Sequence, residues 1–438
     1  MINIGMWENS ITPPLGCDIP GQLYIRKSSG IKDELFAKSI VLDNGNCTLA
    51  IIAMDILGIF EEDVKKIRER VKFYTGIPEN HTMVSATHTH TGAPIANLYG
   101  SSRDEAYMDH MIRKAADSAI IAFNNRKPSK IGYGSGYEDS IAFNRRFFMK
   151  DGSLKTNPGV RNPEIDKPAG PIDPELSILR VDDKHGNPKG VILNYACHLD
   201  VVGDTEYSAD YPGEISKILK RIFGQDFICI FLTGACGNIN HIDAAGKLAI
   251  KPEHYKMMGK ILAGEAIKVI EGITVLDNQV PLNAKNSILA INLRKPEKDE
   301  ILSAMKLLES ESESELLESE PDSSSCEDFF VRELINAAET NPESKQAEVH
   351  VIRIGDLAIT GLPGEIFVEF GLDIKNRSPF KNNMISTLTN GLNGYIAIRE
   401  AFEQGGYETK LSTYTNLEPE AGYKMADAAI NIMKGFYK

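Results

Sequence analysis

Long apolar runs are missing from this 438-residue sequence. No stretch reaches the roughly 18 apolar residues that a membrane-spanning helix needs, so no stable membrane insertion is expected. Cys-X-X-Cys pairs are missing too. The six cysteines, Cys17, Cys47, Cys197, Cys229, Cys236 and Cys326, are scattered, and several lie in apolar runs. A free thiol there behaves as a small hydrophobe, and no disulfide framework is expected. A basic excess is also absent. Lys and Arg number 48 against 61 Asp and Glu, a net charge of −13, and no basic stripe is visible. That excludes an electrostatic nucleic-acid binder and favours solubility. The start, Met1-Ile2-Asn3-Ile4-Gly5, lacks the basic and apolar segments of a secretion signal, which predicts a cytoplasmic protein.

What is present is ordinary globular material. Hydrophobic residues make up 42% and charged residues 25%, enough for a large core without cross-links. Residues 3–30 read as turn-rich, and Pro13-Pro14 excludes a helix there. Residues 47–57 are a nearly continuous apolar run, the mark of a buried parallel strand. Val64, Ile67, Val71 and Phe73 then repeat at helical spacing, with Glu61 and Glu62 in the first turn and Gly76 after the end. Thr82-Met83-Val84 is the next strand, completing a β–α–β unit. Tyr107, Met111, Ala115, Ala119 and Ala122 stripe a second helix. Further strands are expected at 130–145, 176–182, 189–197, 227–233, 347–354, 356–361 and 384–389, and helices at 213–223, 253–271, 365–376 and 418–436. The whole predicts a single α/β domain over 1–438, with mixed, largely parallel sheets flanked by helices.

Two segments stand apart. Residues 151–175 are dense in Pro, Gly, Asn and Asp, and a loop that long usually serves a function, such as closing over a site. Residues 295–340 hold a Glu- and Ser-rich run, expected as an acidic surface insertion formed by an exposed helix and a loose loop.

The chemistry gathers at strand ends. In Ser85-Ala86-Thr87-His88-Thr89-His90-Thr91-Gly92, two histidines at i and i+2 follow a strand and share one side of the chain. Imidazole is the commonest protein ligand for zinc, and α/β folds bind ligands at the strand C-termini. His198 ends another strand. The Gly-rich turn Gly234–Asn240 ends a third, and no Lys-Ser/Thr follows it to make a phosphate loop. Glu365 opens a helix, and Asn390–Tyr395 follow the last strand. Each alone has a plain reading: a core histidine, a first-turn carboxylate, a core aromatic. Together they supply His, His, Glu and a phenolate, a nitrogen/oxygen set suited to zinc with room for water.

At these residues the chain resembles the catalytic domain of the neutral, non-lysosomal ceramidases. The matching pieces are Ile11-Thr12-Pro13-Pro14, Ala86-Thr87-His88-Thr89-His90-Thr91-Gly92, Asn144-Arg145, Ala196-Cys197-His198, Asp210-Tyr211-Pro212-Gly213, Gly237-Asn238-Ile239-Asn240, Pro363-Gly364-Glu365, and Tyr395 through Tyr407-Glu408. They run in family order across nearly the whole chain. The resemblance implies one zinc ion held by His88, His198, Glu365 and Tyr395. It places His90 beside the metal or facing substrate, Tyr407 at the oxyanion, and Arg145 near the substrate's polar end. It departs at Asn240, which stands where the family has a serine implicated in catalysis, so a serine-dependent step does not carry over. The chain is also expected to lack the family's C-terminal immunoglobulin-like domain.

The expected activity is zinc-dependent hydrolysis of an amide, with zinc-activated water attacking a small N-acyl compound, an amino sugar or lipid-like amide. Tyr407, His90 and Asn240 would stabilise the oxyanion. His90, Asp200 and Asp210 are the candidate bases. The alternatives are a zinc-dependent esterase or deacetylase of a small carbohydrate-like substrate, and a non-catalytic metal- or ligand-binding protein. Oligomeric state stays open.

Overall fold

A computed structural model gives the fold of residues 1–98, 100–248, 251–274, 276–309 and 323–437, with side chains for all of these except 308–309 and 323–328. Eight strands make the larger sheet: β1 (Asn3–Ser10), β2 (Phe36–Asp43), β3 (Thr48–Met54), β4 (Thr82–Ala86), β5 (Lys127–Tyr137), β6 (Glu175–Asp183), β7 (Pro188–Tyr195) and β8 (Ile228–Thr233). Their order is β8-β7-β6-β5-β1-β2-β3-β4. A second sheet runs β9 (Leu282–Asn292), β10 (Ser344–Ile354), β11 (Leu357–Gly361), β12 (Asn382–Ser386).

The α/β class with mixed sheets and flanking helices is as expected. Within the two sheets, parallel pairing is confined to β3–β4, β7–β8 and β11–β12. Each of these pairs is joined by a helical crossover: α1 (Glu61–Thr75), α3 (Asp210–Phe223) and α7 (Val368–Arg377). The other neighbours pair antiparallel, as in the β6–β7 hairpin. Continuous apolar strands arise because both faces are covered. Ile40, Ile51, Ile192 and Ile230 share a core with Ile352, Ile359 and Met384 of the second sheet. Val41 and Ile52 belong instead to the core that includes α1 and α2 (Glu105–Asn124).

β1 corrects the turn-rich reading of residues 3–10. Its sequence, NIGMWENS, carries little apolar alternation. Yet it lies inside the sheet, paired with β2 along its whole length. Gly5 is what lets α2 approach: a Cβ there would sit 1.9 Å from the Ala122 carbonyl oxygen. α2 starts at Asp104, whose side chain accepts the Tyr107 N–H, an N-cap.

Residues 151–175 are not structureless. Arg146–Met149, Leu154–Thr156 and Ile165–Pro168 form a small three-stranded sheet, and the Pro- and Gly-rich pieces are its turns. After α4 (His254–Gly272), the acidic insertion holds two helices, α5 (Lys298–Glu309) and α6 (Ser323–Thr340), where one helix and a loop were expected. Most of its Glu/Ser run, at 310–322, lies outside the described residues. Among the described residues, no helix is long and apolar enough to cross a membrane.

The parallel strands bring the chemistry together. At their C-terminal ends the two sheets are stitched by hydrogen bonds. Ala86 N donates to Leu388 O at 3.1 Å and Thr387 N to Thr233 O at 2.9 Å. The buried Asn194 side chain donates to both Leu232 O and Ile385 O at 2.8 Å.

Candidate metal centre

His88 leaves β4 in the left-handed region, at φ 75, a conformation uncommon outside glycine. Its backbone N–H donates to Ile56 O at 2.9 Å, and its Nδ1 faces Leu57 O at 2.7 Å. His90 Nδ1 faces Gly21 O at 2.9 Å. His198, just past β7, sets Nδ1 against Cys236 O at 2.7 Å and Ile239 O at 3.1 Å. A carbonyl oxygen only accepts, so each Nδ1 carries the proton and each Nε2 presents a lone pair.

Those lone pairs converge. The Nε2 atoms of His88 and His90 are 3.3 Å apart, and the ligand atoms of the three histidines lie within 4.8 Å of one another. Glu365 Oε2 is 3.3 Å from His88 Nε2 and 3.0 Å from His198 Nε2. Three lone pairs and a buried carboxylate turned to one point repel each other unless a cation lies between them. The cluster can hold a metal ion.

Electrostatics agree with this. Burial, then His88, lowers His90 to about 3. Burial and Arg145 lower His198. Burial pushes the Glu365 carboxyl up, but His88 and His198 outweigh it and hold it well below its ordinary range. Burial thus favours the neutral imidazole at His90 and His198, and Glu365 is favoured as the carboxylate, the states that ligation requires.

Tyr395 is set beside Glu365 by a two-residue strand. Glu365–Ile366 pairs in parallel with Tyr395–Ile396, which sets Glu365 opposite Tyr395. The Tyr395 and Tyr407 hydroxyls are hydrogen-bonded to each other. Burial raises both phenols. Arg145 lies beside the two rings, 5.3 Å from one centroid and 5.0 Å from the other. Its Nε donates to Glu408 Oε1 at 3.0 Å. His88, His90, Arg145, Glu365, Tyr395 and Tyr407 share the wall of one cavity of about 460 Å³.

Asn240 stands apart from that wall. Its Nδ2 donates to Asn157 Oδ1 at 2.9 Å and its Oδ1 accepts the Ile242 N–H at 3.1 Å. Asn157, from the 151–175 segment, lines the cavity, and Asn240 does not. The Gly-rich turn Gly234–Asn240 packs against the segment that carries Glu365. A Cβ on Gly237 would sit 2.4 Å from Glu365 O, so the glycine lets the turn lie against the backbone that carries Glu365. Asp200 lines the cavity and pairs with His241 Nδ1 at 3.1 Å. Asp210 turns its oxygens to the backbone N–H groups of Val201, Val202 and Tyr211.

Two residues of the centre had no role from the sequence. Tyr414 donates its hydroxyl to Glu365 Oε1 at 2.7 Å. Glu408 is buried between Arg145 and Arg146. Glu408 falls in the Tyr407-Glu408 pair, a signal that was visible. Tyr414 lies in a polar loop with no pattern to mark it.

Over 229 residues the chain is 27% identical to the neutral ceramidase of Pseudomonas aeruginosa, a match to 49% of this chain and 33% of that protein. It is 22% identical over 209 residues to neutral ceramidase B of Dictyostelium discoideum, matching 45% of this chain and 28% of the relative. The crystal structure of the Pseudomonas aeruginosa neutral ceramidase matches 99% of this chain and 74% of its own, with a TM-score of 0.76 at 19% identity. The chain is neutral ceramidase-like. A solved structure of a ceramidase complexed with C2 gives the same TM-score of 0.76 at 17% identity, over 99% of this chain and 75% of that one. At such identities the structures establish a shared fold. The sequence matches span only about a third of the length of the curated relatives. No family model matches the chain.

Proposed function

We propose that this chain is a zinc-dependent amide hydrolase of the ceramidase type, cleaving an N-acyl compound with water. The observation that carries the reading is the convergence of three Nε2 lone pairs and one Glu365 oxygen beside two phenol hydroxyls in a single cavity. Nitrogen and oxygen donors in this mixture suit zinc. His88, His198 and Glu365 would hold the ion, with Tyr395 as the fourth donor. Zinc supplies Lewis acidity that polarises a carbonyl and activates water near neutral pH.

The chain's own groups do the rest. Tyr407, kept a phenol by burial, donates to the substrate carbonyl oxygen as that oxygen gains charge. A single donor of this kind is worth about 3 kcal/mol. Arg145, buried beside both phenol rings, favours negative charge on their oxygens. His90 turns Nε2 toward the same point and faces the substrate. His90 and Asp200 are the base candidates that line the cavity, whereas Asp210 uses its oxygens on backbone N–H groups. Asn240 has no nucleophilic atom and is engaged with Asn157, so the reading assigns attack to water and not to a side chain. The likeness to ceramidases, enzymes of an N-acyl lipid, favours an amide over an ester.

The test is turnover of an N-acyl amine and of its matching ester, before and after chelation. Amide cleavage abolished by a chelator and restored by zinc supports the reading. Cleavage by fully metal-free protein overturns it, and cleavage of the ester alone turns it to an esterase.

A further inference from the structure

The metal cavity does not end at its own wall. Phe330 and Lys410 line it on one side, and the same two residues line a second cavity of about 790 Å³. The second cavity lies between the α5–α6 insertion and the 405–411 loop. Its apolar wall is built from Ala304, Val331, Leu334 and Leu411. The insertion is held there by α6. Glu333 accepts the Thr413 N–H at 3.0 Å, and Asn416 donates to Asn341 Oδ1 at 3.0 Å. An acidic surface insertion is thereby part of the approach to the site.

The charge on this approach is mainly basic. Lys410 is exposed, and its ammonium sits 4.7 Å from the centroid of the Phe330 ring. Among the described residues it forms no ion pair. Arg294 lines the same cavity and donates only to backbone carbonyls, those of Leu417, Thr409 and Thr415. Lys295 is paired with Glu343, and Glu300 is the one carboxylate on that wall among the described residues. Glu300 faces Arg294 electrostatically, which leaves Lys410, set beside an aliphatic wall, as the cation that complements an amphiphilic anion.

We propose that the two cavities form one substrate channel and that the substrate is an anionic amphiphilic amide. Its aliphatic chain lies along α5 and α6 past Phe330, and its carboxylate meets Lys410, as in an N-acyl amino acid. The proposal rests on the amide-hydrolase reading for its amide, and adds the class of molecule that carries the bond. Lys410 is then a specificity-determining residue, acting on binding and not on the reacting carbonyl.

The test compares N-dodecanoylglycine with N-dodecanoylethanolamine, which share a chain and differ in the carboxylate. Binding is measured by titration calorimetry on the zinc-loaded Tyr407→Phe protein, where hydrolysis is slowed, with and without Lys410→Gln. The expected result is tighter binding of the glycine compound. Lys410→Gln should weaken it about tenfold, the scale of one charge-assisted contact, and leave the ethanolamine compound within about twofold. Leu334→Asp, placed on the apolar wall, should weaken both. Equal binding of the two compounds, binding of neither, or no effect of Lys410→Gln would overturn the proposal. Failure of the unsubstituted enzyme to cleave either amide would count against the hydrolase reading alone, since the calorimetry reads binding without turnover.

Discussion

Tyr414 donates its hydroxyl to Glu365 Oε1 at 2.7 Å, while Oε2 of the same carboxylate faces His198 Nε2 at 3.0 Å. One oxygen is thus anchored and the other is aimed. Hydrogen bonds of this kind orient a ligand and fix its charge. Tyr414→Phe removes the anchor without emptying the space. Zinc affinity is expected to fall about 10- to 100-fold, read by competition with a coloured chelator. Undiminished affinity would mean that Glu365 is oriented by something else.

Tyr407→Phe separates binding from catalysis. The Tyr407 hydroxyl meets Tyr395, not the histidine cluster. The variant should keep its zinc and lose turnover by about 100- to 1,000-fold, the loss expected for one oxyanion donor. Parallel metal analysis and steady-state kinetics test this. Normal turnover would remove Tyr407 from the oxyanion.

Much of this centre was legible because its residues sit where the sequence pattern changes. His88, His90 and His198 each follow an apolar strand, and a strand end is where such folds place ligands. The meeting of Glu365 with Tyr395 was not legible from spacing. It depends on a two-residue parallel pairing across a crossover helix. Tyr414 and Phe330 were missed for a related reason. One lies in a polar loop and the other in a Glu- and Ser-rich region, and only long-range closure brings them to the cavity. β1 escaped because its mixed polar sequence hides a central strand, and Gly5 makes sense only once α2 is seen against it.

Glu408 tests the frame behind the site. It is fully buried, accepting from Arg145 Nε at 3.0 Å, Arg146 Nη1 at 2.9 Å and the Thr156 hydroxyl at 2.8 Å. Glu408→Gln leaves two buried guanidinium groups without their counter-charge. Breaking a buried pair in this way costs about 3–5 kcal/mol. Denaturant unfolding should show a loss of that size, and a loss below about 1 kcal/mol would contradict the assigned role.

Asp210 predicts a pH dependence of stability. Burial pushes its carboxyl up to about 7, against an ordinary value near 4 in the unfolded chain. Between about pH 4 and 7 the native state holds a proton that the unfolded state has released. Stability from this group is therefore greatest at the acid end of the window and falls as pH rises, by up to about 1.4 kcal/mol per pH unit. Asp210→Asn should flatten that slope in unfolding curves taken across the window. An unchanged slope would show that Asp210 titrates normally.

Metal content decides whether His88, His198 and Glu365 hold an ion. Elemental analysis of protein purified without a His tag, after equilibration with zinc, should give about one zinc per chain. His198→Ala should lose that zinc while keeping its circular dichroism spectrum. Protein that holds no metal when zinc is offered, or a His198→Ala variant that binds it equally well, would contradict the account.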